Sequence, residues 1–367
     1  MNTKTPKQIW DDYCTEELRV LTLLLAHHGI TLDTEQKHIG GERYLQQAVT
    51  TASGKKLILT GTHNGTPVVI KATRDSAGMN EIIHERECRA ILHSIDFAAS
   101  TFLTPPEVLF VREGGFLISA QTFITQEKQF IEHTLPEQFH FALEAFKAQE
   151  GTHATTAKHQ RLIRNTFGIR TAESYLHTFH TFEANVSFAL KGDVSLHTLL
   201  RNALQQLEAN KEIIEQYSGF LTHTDFVPHN IRIHEGHIYL LDHSSLTFGN
   251  KYEGWARFLN FMTLYNPPLE SLLTQYVKDN RTPEESVSLR MMRIYRLGEI
   301  IWYYVQTLEK SDGDLRTLNE ARFTFWRTIL EYLLDDSPVP ESVIATYKKT
   351  RDSLRSVDEK KRQQGLH

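Results

Sequence analysis

The 367-residue sequence is poor in cysteine: Cys14 and Cys88 stand far apart, in neither a C-x-x-C nor a zinc-ligand spacing. A disulfide framework is thereby excluded, and two reduced thiols in a cytoplasmic protein are expected. Long hydrophobic runs are also missing. The stretch from Met1 to Trp10 has no apolar signal core, and no later run approaches the roughly 20 residues that span a bilayer, so neither a secretory leader nor a membrane partner is expected. Nor does one sign of charge dominate. Forty Lys and Arg face 45 Asp and Glu, mixed along the chain, for a net charge of −5, which argues against a nucleic-acid partner bound through bulk charge. There is no internal repeat and no low-complexity segment. What is present is apolar content of 40% over a length that exceeds one average domain and suits two lobes sharing a cleft.

The patterning changes along the chain. Residues 7–28 carry a broad apolar face at helical spacing, including Trp10, Leu18, Leu21 and Leu25, with Gly29 as the stop. Strand patterns follow at 44–50, 56–62 and 66–72, the last two joined by Asn64-Gly65, a strong hairpin signal. A helix is expected over 80–95. Gly114-Gly115 then turns into the near-continuous apolar run 116–124, suited to the last strand of a first lobe. Helical patterns dominate afterwards, at 135–149, 171–182, 197–217 and repeatedly from Trp255 onward, and the charged tail reads as a fraying helix. The polar stretch 150–175 reads as a lid or substrate-facing segment. His177 and His180 sit at helical spacing without a third ligand and read as solvated. A β-rich first third and a helical remainder predict an α+β fold in two lobes, not a doubly wound sheet. The expected divisions are a helical extension at 1–37, a β-sheet lobe at 38–124 and a helical lobe at 125–367.

One stretch carries chemistry. Leu221 to Asn230 reads L-T-H-T-D-F-V-P-H-N, and Ile238 to Asp242 reads I-Y-L-L-D. The intervening residues read as two short strands about Glu235-Gly236, so a hairpin would bring Asn230 and Asp242 to the same end. Phosphoryl transfer from ATP asks for little covalent work by the protein and for much positioning and charge neutralisation. Magnesium prefers oxygen ligands and keeps several waters, so Asp242 and Asn230 are suitable partners for it. Asp225 stands beside them as a carboxylate that can orient a hydroxyl and relieve it of its proton. Two other readings fit parts of the pattern. His223, Asp225 and His243 form a candidate facial triad for non-haem iron, which leaves Asn230 unexplained. A strand, turn and strand with incidental acids would leave three polar groups clustered for no purpose.

The spacing H-x-D-x-x-x-x-N followed by an isolated Asp is that of a kinase catalytic loop. With Pro228 two residues before Asn230, it resembles the aminoglycoside phosphotransferase and choline kinase family, over roughly residues 40–265 and with strong motifs only in short blocks. The resemblance implies a bilobal protein-kinase-like fold, with a small antiparallel sheet in the first lobe and a larger, mainly helical second lobe. It implies that His223 braces the loop, Asp225 is the catalytic base, and Asn230 and Asp242 hold Mg2+. Val68-Val-Ile-Lys71 resembles the V-A-I-K strand, whose lysine meets the phosphates of ATP. Glu81, Glu85 and Glu87 on the next helix are candidates for its ion-pair partner, and Glu87, just ahead of the apolar face, is the one expected. The nucleotide loop has one glycine where protein kinases have three; Ser53 and Gly54 are its expected donors to phosphate. The end of the 116–124 strand, including Gln121 and Phe123, is the implied hinge facing the adenine edge.

The sequence departs from the family where His243 replaces the tryptophan after the metal ligand and Glu253-Gly-Trp255 occupies the region of a later Asp. D-F-G and A-P-E are absent, which argues against a regulated protein kinase. The expected activity is ATP- and Mg-dependent phosphorylation of a hydroxyl on a small molecule of aminoglycoside, choline or sugar type. The alternative is a pseudokinase-type nucleotide-binding module without turnover. Glu253, Glu270 and Glu299 are candidates to receive a polycation, and Trp255, Tyr295, Trp302 and Tyr303 to cage a quaternary amine or stack on a sugar, with core packing as the competing use of these rings. No surface pattern reveals an oligomeric state.

Overall fold

A computed structural model describes residues 6–34, 56–95, 103–151 and 157–355. The expected strand at 44–50 and the loop bearing Ser53 and Gly54 lie outside them. In chain order the described elements are α1 (Pro6–His27), β1 (Ile30–Leu32), β2 (Leu57–His63), β3 (Thr66–Thr73), α2 (Ser76–Ser94), β4 (Glu107–Glu113) and β5 (Phe116–Thr122). Next come α3 (Leu135–Gly151), α4 (Ala157–Phe167), α5 (Ala172–Ala189), α6 (Val194–Ala209), α7 (Lys211–Gln216), β6 (Phe220–His223), β7 (Ile231–His234), β8 (His237–Leu240) and β9 (Leu246–Gly249). The helices α8 (Glu253–Tyr265), α9 (Pro267–Asn280), α10 (Pro283–Leu308), α11 (Gly313–Leu334) and α12 (Glu341–Leu354) complete the described chain.

The first lobe is a five-stranded antiparallel sheet in the order β1-β2-β3-β5-β4. The β2–β3 turn forms as the sequence predicts, with Asn64 and Gly65 both at positive φ (51° and 81°), as a primed hairpin turn demands. Period-two alternation then divides β3. Val68, Ile70 and Ala72 join Leu57, Leu59, Ile118 and Ala120 in a core that α1 closes with Leu21 and Leu25. Full burial of each such leucine contributes about 1.5–3 kcal/mol. The segment before residue 37 therefore supplies both a helix and the edge strand β1. Lys71, one residue out of phase, points to the other face, where α2 lies. Helix α2 begins at Ser76, four residues ahead of the expected start, because Asp75 caps it by accepting from the Gly78 N–H at 2.9 Å.

The second lobe is helical around α8 and α10, with two small two-stranded sheets, β6-β9 and β7-β8, inserted at its upper end. The expected helix over 197–217 is two helices, broken at Asn210. The 150–175 segment is no lid over its described part: α4 buries Ile163 and Phe167 in the core of this lobe and packs against α2. Leu103 links the lobes, donating its N–H to the Ile238 carbonyl and accepting from the Leu240 N–H.

Candidate active site

The loop after β6 is anchored from both sides. Phe226, next to Asp225, is fully buried among Phe146, Trp255 and Phe258, with Phe146 and Trp255 stacked at 3.8 Å between centroids. Trp255 is thus core, as is Tyr295. Thr224 gives both its N–H and its hydroxyl to the Ser245 carbonyl, and β6 pairs with β9 from Phe220 to His223. His223 is completely buried and turns Nε2 toward the carbonyls of Leu241 and Asp242, each at 3.1 Å. It thereby ties the end of β6 to the turn that carries Asp242.

The hairpin delivers the other two groups. Glu235 and Gly236 take positive φ (50° and 75°), β7 pairs with β8, and the Leu241 N–H closes onto the Asn230 carbonyl at 2.9 Å, which sets Asn230 beside Asp242. The Asn230 amide nitrogen donates to the Asp225 carbonyl at 2.8 Å and to Asp225 Oδ2 at 3.1 Å. That orientation leaves the Asn230 Oδ1 for a cation, since no hydrogen bond among the described residues uses it. Asp242 sits in a left-handed turn (φ 52°) and accepts from the hydroxyls of Ser244 and Ser245. Burial would raise its pKa, but Lys71, His223 and these hydroxyls outweigh that and lower it. An ionised carboxylate and an amide oxygen side by side fit a hard divalent ion.

Lys71 lies across from them and is held by Glu85, Nζ to Oε2 at 2.6 Å. The expectation of Glu87 is corrected. On α2, Glu85 shares the buried stripe of Ile82, Cys88 and Leu92, whereas Glu87, about 200° further round the helix, is exposed and lines a separate surface groove with His93 and Pro105. Glu81 is taken by Lys56. The expected hinge residues are also partly committed: the Gln121 side-chain amide lies against the Arg89 guanidinium on α2, and the Phe123 N–H donates to the Pro67 carbonyl at 2.9 Å. The side chain of Gln121 therefore faces α2 instead of a nucleotide.

His243, which replaces the family tryptophan, is buried beneath α2. Desolvation first, then Arg89, His223 and Lys71, lower its pKa well below the ordinary value and keep the ring neutral. Among the described residues no three His, Cys, Asp or Glu side chains converge on a metal position, so the triad of His223, Asp225 and His243 does not form.

One functional residue escaped the sequence reading. Arg257 on α8 grips Asp225 Oδ1 with Nε and Nη2, both at 2.9 Å. Burial pushes the Asp225 pKa up, but Arg257, with His223, His229 and Arg296, prevails and holds it well below the usual carboxylate range. The signal was there: after Glu253, Arg257 is the only charge in an otherwise apolar helix, a position that asks for a carboxylate partner. The acids proposed to receive a polycation disperse. Glu253 is completely buried with Arg170, Arg296 and Tyr175, and Glu270 pairs with Arg293. Only Glu299 lines the cavity next to Asp225.

No protein-family model matches the sequence, and no curated protein matches it significantly. Solved structures do match its fold. Aminoglycoside phosphotransferase APH(4)-Ia is similar at 13% identity and a TM-score of 0.59, over 86% of this chain and 97% of that one. Macrolide 2'-phosphotransferase MphH from Brachybacterium faecium matches at 15% identity and a TM-score of 0.57, over 83% and 97%. Spectinomycin phosphotransferase APH(9)-Ia, in complex with ADP and spectinomycin, matches at 15% identity and a TM-score of 0.50, over 90% and 98%. The chain thus has the α+β, bilobal, protein-kinase-like fold of the aminoglycoside and macrolide phosphotransferases.

Proposed function

We propose that the protein transfers the γ-phosphoryl group of Mg-ATP to a hydroxyl of a small molecule. The observation that carries this reading is the clasp of Asn230 on Asp225, with Asp242 adjacent and the Lys71–Glu85 pair opposite. Its parts match the needs of phosphoryl transfer one by one: a cation for the phosphates, oxygen ligands for a metal, and a carboxylate kept clear of that metal. Asn230 and Asp242 would hold Mg2+, which when bound neutralises phosphate charge. Lys71 meets the phosphates, and Glu85 keeps its long side chain extended. His223 fixes the loop, so Asp225 starts in position. With its low basicity, Asp225 orients the acceptor hydroxyl as a hydrogen-bond acceptor and takes the proton late, once bonding to phosphorus has made that proton acidic. The donor nucleotide puts the reaction in the cytoplasm. No described helix is long and apolar enough to cross a membrane. We take 38–124 and 125–367 as the two lobes, with the 1–37 extension on the first.

Asp225→Asn tests the assignment. It is expected to abolish phosphoryl transfer while leaving Mg-ATP affinity within a few-fold, measured by calorimetry. Transfer that survives the change would remove Asp225 from its role, and a wild type that binds Mg-ATP but phosphorylates no hydroxyl would favour a binding module.

A further inference from the structure

Arg232, on β7, is a partly buried cation that no carboxylate among the described residues answers. Arg89 is paired with Glu85 and Glu107, Arg257 with Asp225, and Arg293 with Glu270. Arg232 instead donates from Nη1 alone, to the backbone carbonyls of His229 at 3.2 Å and Ile231 at 2.9 Å. Nε and Nη2, which carry most of its N–H donors, make no hydrogen bond among the described residues, and neither is sealed from the surface. Burial lowers its pKa and no carboxylate acts against that, Asp225 and Asp242 included, so the guanidinium stands clear of the metal position.

Strand geometry places this charge in the cleft. Period two sends Ile231 and Ile233 into the core of the second lobe and turns Arg232 to the opposite face. The hairpin meets chain from the first lobe at both edges. Leu103 bonds to β8 on one side, and on the other the Ile233 N–H turns to Gln126 Oε1 at 3.4 Å, in the segment that leaves β5 for the second lobe. β7 thus runs from the metal ligand Asn230 to the linker between the lobes. Arg232 stands between these ends, about 7 Å from Asn230 at the rise of a strand. With the phosphates at Lys71 and the metal ligands, the part of a nucleotide that spans this interval is the nucleoside.

We infer that Arg232 forms the second-lobe wall of the nucleoside pocket, with the plane of its guanidinium laid against the purine base. The inference rests on the phosphotransfer reading above and adds to it a residue of nucleotide recognition. A guanidinium is flat, delocalised and more weakly hydrated than an ammonium, so it stacks on nucleobases as well as on aromatic side chains. Its charge is attracted to the π face. The two carbonyl bonds from Nη1 hold the plane before the nucleotide arrives, so less side-chain freedom is lost on binding. Phosphate can be met by the point charge of a lysine, whereas stacking needs the plane.

The test uses the full chain and reads binding without turnover. Mg-ADP and Mg-tripolyphosphate, which has neither base nor sugar, are titrated calorimetrically into wild type, Arg232→Ala and Arg232→Lys. Arg232→Ala is expected to weaken Mg-ADP fivefold or more and to leave Mg-tripolyphosphate within twofold, which also shows that the phosphate end is intact. Arg232→Lys, which restores the charge without the plane, should leave most of the Mg-ADP loss in place. Equal weakening of both ligands by Arg232→Ala would make this a phosphate contact or a structural residue and overturn the inference. So would full recovery of Mg-ADP by Arg232→Lys. An Mg-ADP affinity that is the same in all three proteins would do so too, since a side chain that only braces the His229 carbonyl predicts that result. Mg-ADP binding that follows Arg232 in this way, in a protein that transfers phosphate from Mg-ATP to no hydroxyl, would leave the inference standing and sink the phosphotransfer reading alone.

Discussion

Glu253→Gln removes one negative charge from the most deeply buried ionic cluster near the site, and its cost follows from what the carboxylate touches. Glu253 is 0% exposed; Arg170 and Arg296 pair with one oxygen, and the Tyr175 hydroxyl donates to the other at 2.6 Å. Breaking a buried pair by removing one partner typically costs about 3–5 kcal/mol, because the remaining charge stays buried. Three features lower that figure here. Arg296 keeps Glu299 as a second partner, Arg170 is 34% exposed, and the amide of glutamine can still accept one hydrogen bond. We expect a loss of about 2–3 kcal/mol, read as a lower urea midpoint at unchanged slope. Combining Glu253→Gln with Arg170→Met should cost less than the sum of the two single changes, because each single change strands the other charge. A loss below about 0.5 kcal/mol, within the range of ordinary surface substitutions, would refute the idea that this carboxylate compensates the buried charge of Arg170 and Arg296.

Two further outcomes check other parts of the site. Glu85→Gln should lower kcat/KM for Mg-ATP at least tenfold by releasing Lys71, whereas Glu87→Gln, on the exposed side of α2, should leave it unchanged; steady-state kinetics of both variants decides which glutamate holds the lysine. His243→Phe should flatten the acid side of the stability profile. The depressed pKa of His243 means that the unfolded chain takes up a proton that the folded one refuses, so wild-type stability falls by up to about 1.4 kcal/mol per pH unit below about 6.5. Urea midpoints at pH 7.5 and 5.0 that change equally in both proteins would show that the buried ring is not the cause.

Much of this was legible in the sequence, where the information is local. Asn64-Gly65 and Glu235-Gly236 fix their turns through backbone φ alone, and alternation along Val68 to Ala72 decides that Lys71 leaves the core face. The fixed spacing of His223, Asp225, Asn230 and Asp242 works the same way, because one hairpin and one strand pair account for all four. Short strands were harder. β1 and β9 have three and four residues, too few for a period to declare itself, and they exist because a neighbour offers them backbone partners. The polar composition of 150–175 suggested a lid, yet the helix formed at 157–167 buries Ile163 and Phe167 against an element distant in sequence.

By itself, then, the sequence determined the two-lobe plan and the clustering of His223, Asp225, Asn230 and Asp242, since both follow from periodicity and from residue types a few positions apart. Only the tertiary structure decided which glutamate meets Lys71, that Arg257 grips Asp225, and that the cavity beside Asp225 is lined by arginines from α8, α10, α11 and the end of α12. The physical reason is common to all three. Each depends on the face a helix turns toward a distant partner, and the packing of the assembled lobes selects that face, not the local spacing of charges.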